Sequence, residues 1–187
     1  MSKKTTRLLI IFLVAILITL FFRKRIQSAI YDLKVQYHLK TSIVWTDSDK
    51  LKWSDFHYNP EAELTDNISS DVGILQRYHV DENIDYKSYT LFKSKKSIVS
   101  DTTDPLSLRI AQARFDLCEV YRKKLSRNVY KIQVNADSDI TVKEIEKLWL
   151  KYTDDFENDW AEFMSLETHE VKSGLLKLEE RIRKELE

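Results

Sequence analysis

The stretch AQARFDLCEVYRKKL, Ala111 to Leu125, gathers the groups best able to do chemistry: Gln112, Arg114, Asp116, Cys118 and Glu119. On a helix, charged residues at this spacing most simply make surface salt bridges. Cys118 is the only cysteine. Beside Leu117, with no glycine turn or neighbouring histidine to activate it, it reads as a small buried hydrophobe. The four histidines, His38, His57, His79 and His169, are scattered. No two can present paired metal ligands from one helix face. The acidic group Asp154, Asp155, Glu157, Asp159 and Glu162 lacks the loop and turn glycine of a calcium site and reads as a solvated helix face. No serine lies in a Gly-x-Ser-x-Gly elbow. The only two glycines, Gly73 and Gly174, are too far apart to build a phosphate loop or dinucleotide fingerprint, so no nucleotide is expected.

The elements that must position these groups can be read from caps and periodicity. Asp104-Pro105 supplies a capping carboxylate and a proline suited to a first helical position. Leu106, Ile110, Ala113, Leu117, Tyr121 and Leu125 then form a helical stripe, predicting a core helix to about Arg127. VYKIQV, residues 129–134, is either its frayed extension or a short strand. Upstream, SIVWT (42–46) and LKWSDF (51–56) have strand composition, and 59–67 reads as a loop. Ile68, Val72, Ile74, Tyr78 and Val80 alternate with Ser69, Asp71, Arg77, His79 and Asp81, predicting one half-buried strand. YTLF (89–92) and SIV (97–99) complete a small antiparallel sheet. Thr141 and Glu144 form a capping box for a second helix, whose stripe is Ile145, Trp149, Tyr152, Phe156, Trp160 and Phe163. A last amphipathic segment runs from Leu175 to Leu186.

The 187 residues, 43% hydrophobic, suffice for one domain and an appendage. The formal charge of zero conceals an asymmetry. Residues 1–40 carry eight basic groups against Asp32, a net +7 that leaves −7 for the rest. Such an acidic domain repels nucleic acid, whereas the basic end suits anionic lipid. LLIIFLVAILITLFF (8–22) is an unbroken apolar run between KKTTR and RKR. The basic cluster after it favours an uncleaved single-pass anchor over a cleaved signal, with membrane lipid as partner of residues 8–25. Three basic residues on each side leave its orientation undecided by charge. Ile26, Ile30, Leu33 and Tyr37 extend the helical pattern into a stalk. The expected organisation is a basic tail (1–7), anchor (8–22), helical stalk (23–40) and soluble domain (41–187).

Three blocks now carry a resemblance: Lys52 to Phe56 (KWSDF) with Pro60, Ser97 to Val99 (SIV), and Ala111 to Leu125, with Gln112, Phe115, Asp116 and Glu119 as matching positions. In this order, across about residues 45 to 170, the chain resembles a family of secreted bacterial proteins of uncharacterised function described as probable zinc-dependent proteases. That family's helix reads His-Glu-Gln-x-His-Phe-Asp, two histidines on one face binding zinc with a glutamate to polarise water. Here the histidine positions are Ile110 and Arg114 and the glutamate is Ala111. The family's Glu-Thr-x-His-Gly stretch is approximated by LETHEV (166–171), with His169 one place early.

The resemblance implies an inactive relative with no catalytic residue, metal or other cofactor of its own. Its vestigial cleft would involve Gln112, Arg114, Asp116, Glu119 and His169. The expected architecture is α+β, with a small antiparallel sheet on a long core helix and two further helices. The expected function is binding of a peptide or envelope protein at the cell membrane, with the domain outside the cytoplasm. Two alternatives are a hydrolase with a rearranged site, using Glu170 and His169 near Glu119, and a structural envelope component docking through its acidic face.

Overall fold

The computed structural model describes residues 23, 25–64, 67–80, 84–135 and 141–187. The expected tail and anchor lie outside the described residues, and among those described no helix is long and apolar enough to cross a membrane. The chain divides into two compact units, Met1–Tyr37 and His38–Glu187. Helix α1 covers residues 25–41, within the segment read as a helical stalk. Ile26, Ile30, Leu33 and Tyr37 are all exposed along it.

The second unit is α+β. Its strands are β1 (Ile43–Val44), β2 (His57–Tyr58), β3 (Ile68–Ser69), β4 (Val72–Val80), β5 (Ile84–Phe92) and β6 (Ile98–Val99). Its helices are α2 (Pro105–Asn135), α3 (Val142–Met164) and α4 (Val171–Leu186). Instead of one antiparallel sheet there are two, ordered β1-β5-β4 and β2-β6-β3. The first is antiparallel throughout, with Val72 opposite Phe92 and Val80 opposite Ile84. In the second, β2 lies parallel to β6 and β3 antiparallel to it.

Two expectations about strands are corrected. The continuous strand over 68–80 breaks at Ser70-Asp71, because Asp71 is bound across to the turn before β6. Its N–H donates to Ser97 Oγ at 3.0 Å, its carbonyl accepts from Lys93 N at 2.8 Å, and its carboxylate pairs with Lys93 Nζ at 2.7 Å. LKWSDF is a 3-10 turn at Trp53–Asp55, closed by Lys52 N donating to Asp55 Oδ2 at 2.7 Å. Its aromatic side chains still enter the core, with Phe56 edge-on to Phe92 and Phe92 against Phe115 at centroid separations of 5.0 and 5.9 Å.

Helix α2 is the axis of this unit, packing on β3, β4, β5, α3 and α4. Asp104 caps it: Oδ1 accepts from Leu106 N at 3.0 Å and Oδ2 from Ser107 Oγ at 2.7 Å. The helix runs eight residues beyond the expected end at Arg127, so VYKIQV is helix. The reason is burial: Val129 is fully enclosed and Ile132 packs against the core, which outweighs the weak helix propensity of β-branched residues. Ala111, Phe115, Cys118 and Val120 are also buried, so α2 is covered on more sides than its single stripe implies. Each large apolar side chain so enclosed contributes about 1.5–3 kcal/mol. Helix α3 begins with the expected capping box and buries Ile145, Phe156, Trp160 and Phe163. Helix α4 buries Leu175, Leu178 and Ile182.

Candidate functional site

A cleft of about 400 Å³ opens between α2, α4 and the segment after β1. Ala113, Ile182 and Leu186 supply apolar wall, while Trp45, Gln112 and Asp116 supply its ordered polar side. Gln112 and Asp116 are one turn apart and so share a side of α2. Asp116 Oδ1 accepts from Trp45 Nε1 and from Gln112 Nε2, both at 2.7 Å. Gln112 Oε1 in turn accepts from Leu51 N at 2.8 Å, tying the loop to the helix. Trp45 is held from both sides, its backbone N–H donating to Thr90 O at 3.0 Å and Lys123 Nζ lying 5.7 Å from its ring centroid.

The rim is looser. Lys50 Nζ reaches Asp116 Oδ2 at 3.4 Å, and its side chain is 60% exposed. Arg183, 58% exposed, pairs with Glu180 and Glu187 on its own side of the cleft. The result is a fixed carboxylate and indole beside apolar wall, with exposed cations at the edge. That combination offers a ligand apolar contact and a few fixed polar groups for orientation.

The five sequence-predicted site residues do not converge. Gln112 and Asp116 line the cleft. Glu119, one turn further along, is 3% exposed and turned to the sheet. Its Oε2 accepts from Thr90 Oγ1 at 2.8 Å and Arg122 Nε at 2.7 Å, and Oε1 from Arg122 Nη2 at 2.6 Å. That fork raises the Arg122 guanidinium above its ordinary value, the Glu119 hydrogen bonds being the main cause. Arg114 lies on a different side of α2 and packs against α3. Its guanidinium pairs with Glu157 at 3.1 Å and stands 5.8 and 5.4 Å from the Phe156 and Trp160 ring centroids. His169 sits in the turn between α3 and α4, 77% exposed, with Glu167 at 3.4 Å.

At the two other positions where the resemblance places zinc-site residues, Ile110 and Ala111 are core residues, 5% and 1% exposed. Among the described residues no group of three His, Cys, Asp or Glu side chains could hold a metal ion. Cys118 is fully enclosed, and burial, followed by the Glu119 charge, pushes its thiol far up. It is no nucleophile in this setting. Sequence reasoning missed Trp45 and Lys50 as site residues, since no local pattern joins positions 45 and 50 to a helix some seventy residues later. Against known proteins, the chain matches no family model, no curated protein and no solved structure.

Proposed function

We propose that this chain is a non-catalytic peptide-binding module, a degenerate relative of the zinc-protease-like family, held at the cell membrane by residues 8–25 with its domain outside the cytoplasm. The observation that carries the reading is the cleft in which Trp45, Gln112 and Asp116 are locked together beside apolar wall. Preorganised groups of this kind bind without paying to order themselves. The burial of Ile110 and Ala111 and the engagement of Arg114 with Glu157, Phe156 and Trp160 support the non-catalytic part. The occupant is an extended segment of an envelope protein.

The test is selection of peptides from a displayed library on the full chain in nanodiscs, followed by affinity measurement. Lys50→Gln and Arg183→Gln remove exposed rim charges without opposing Asp116 with a like charge, and are expected to weaken the selected peptides about threefold while changing thermal unfolding little. Indifference of every selected peptide to both changes would refute the assignment of the cleft. Cleavage of a bound peptide that is lost in His169→Ala, or one zinc per chain with stabilisation following mass action, would refute the non-catalytic reading in favour of the hydrolase.

A further inference from the structure

The stalk helix exposes an ordered apolar seam. Ile26, Ile30, Leu33 and Tyr37 are 47%, 49%, 66% and 59% exposed and recur at intervals of four, three and four. That is the spacing of core positions in a two-stranded coiled coil, with Ile30 and Tyr37 at a and Ile26 and Leu33 at d. With this face in water, Ile26, Ile30 and Leu33 remain largely solvated, and a partner helix of the same periodicity would cover them. We infer that the partner is a second copy of this chain, joined in parallel through α1.

Three features of the sequence fit that occupant. Ile at a followed by Leu at d, as at Ile30 and Leu33, favours two strands over three or four. The residues flanking the seam are Gln27, Lys34 and Thr41 on one side and Ala29 and Gln36 on the other. In a parallel pair, Ala29 therefore faces Lys34 of the second copy and Gln36 faces its Thr41, with no like charges opposed. The seam is bounded by cations, Arg23 and Lys40 occupying the core positions before and after it. Pairing is thus confined to residues 26–37.

So short a seam buries less than the roughly 1,000 Å² of a free-standing interface. The association depends on tethering, and here the inference rests on the anchor of the proposed function. Two chains held in one bilayer by residues 8–22 present their seams at high effective concentration and in the same direction.

Single cysteines at Gln27, Ile30, Asp32 and Leu33, introduced one at a time into the full chain in native membranes, test this by the rate of disulfide formation under mild oxidant. Cys118 is fully buried and stays outside the reaction. Ile30→Cys and Leu33→Cys are expected to cross-link at least fivefold faster than Gln27→Cys and Asp32→Cys. Leu33→Glu should lower the dimer fraction of the full chain in nanodiscs tenfold or more, while Leu33→Ile preserves it. Equal rates at all four positions would overturn the inference. So would protection of the seam cysteines from a water-soluble maleimide without cross-linking, which would make lipid the occupant. Carbonate extraction reads the anchor separately: release of the chain from the membrane refutes the anchor, whereas uniform cross-linking in a chain that stays in the pellet refutes the seam.

Discussion

Glu119 offers the sharpest test of how the α2 helix is used, because the resemblance places it in a cleft and the structure places it in the core. The perturbation is Glu119→Ala. The carboxylate is 3% exposed and takes three hydrogen bonds, two from the Arg122 fork and one from Thr90. Charge-assisted bonds are worth about 1.5–3 kcal/mol each, but most of that sum is spent on desolvating the two charges, so the intact pair adds little net stability. Removing one partner is different. Arg122, only 20% exposed, keeps its charge and, among the described residues, retains Ser88 and Ser126 as acceptors, each at 3.3 Å. The cost should be ~3–5 kcal/mol, or about 6–20 °C in Tm for a chain of this size. All four tryptophans lie in the second unit, so fluorescence during urea unfolding of the full chain reports this unit directly. Replacing both charges, Glu119→Leu with Arg122→Met, should restore stability to within ~1 kcal/mol of the parent. A cost below ~1 kcal/mol for Glu119→Ala, or a double variant less stable than the single one, would refute the argument that the pair is a buried structural clamp.

Three further predictions concern helix ends. Asp104→Ala should cost ~1 kcal/mol by removing the cap of α2, read as a lower urea midpoint. Hydrogen bonding from Ser107 holds the Asp104 carboxyl below its ordinary 3.8. Its contribution is therefore complete above that value and lost as pH falls through the lower folded-state value, so Asp104→Asn should show a shallower loss of stability on acidification below pH 3.8. At Gly174 an added Cβ would overlap Leu166 Cδ1, so Gly174→Ala should forfeit the ~1 kcal/mol normally gained from helix propensity. The same change in a Leu166→Ala background should recover it, as thermal unfolding of the two pairs would show.

Legibility in the sequence followed the range of the forces involved. Asp104-Pro105 and the Thr141–Glu144 box act within one turn, and both helix starts could be read directly. The apolar stripes of α2 and α3 report which side is buried, and Phe156, Trp160 and Phe163 are buried as their spacing implies. The break at Ser70-Asp71 was illegible because alternation records which face a residue presents and says nothing of which strand it pairs with. Ser70 and Val72 are both buried, so the parity survives while the partner changes from β6 to β5. VYKIQV was ambiguous because β-branched composition and helical burial compete, and the outcome depends on what Val129 meets. In the cleft, Gln112 and Asp116 were named only through the resemblance, and Trp45 enters through an indole N–H bond spanning 71 positions. Arg114 and Glu119, although close in sequence to Asp116, are claimed by α3 and β5 respectively. Helical phase alone cannot decide such claims.

The second sheet has a consequence for the order in which this unit assembles. Each of its three strands is two residues long, and its parallel pairing joins His57 to Ile98, 41 positions apart. The β4–β5 hairpin closes only a short connection and then zips through nine paired positions, so its loop entropy is small and repaid at once. The β2-β6-β3 sheet must close a long loop for a handful of bonds, among them His57 N to Ser97 O, Asn59 N to Val99 O and Ser100 N to Asn67 O. Its closure is expected to follow that of the hairpin, with its amides exchanging sooner than those of β4 and β5 in a hydrogen-exchange measurement. The KWSDF and SIV blocks, whose ends this sheet joins, are thus fastened to the α2 core through buried Phe56 and Val99 more than through the sheet itself.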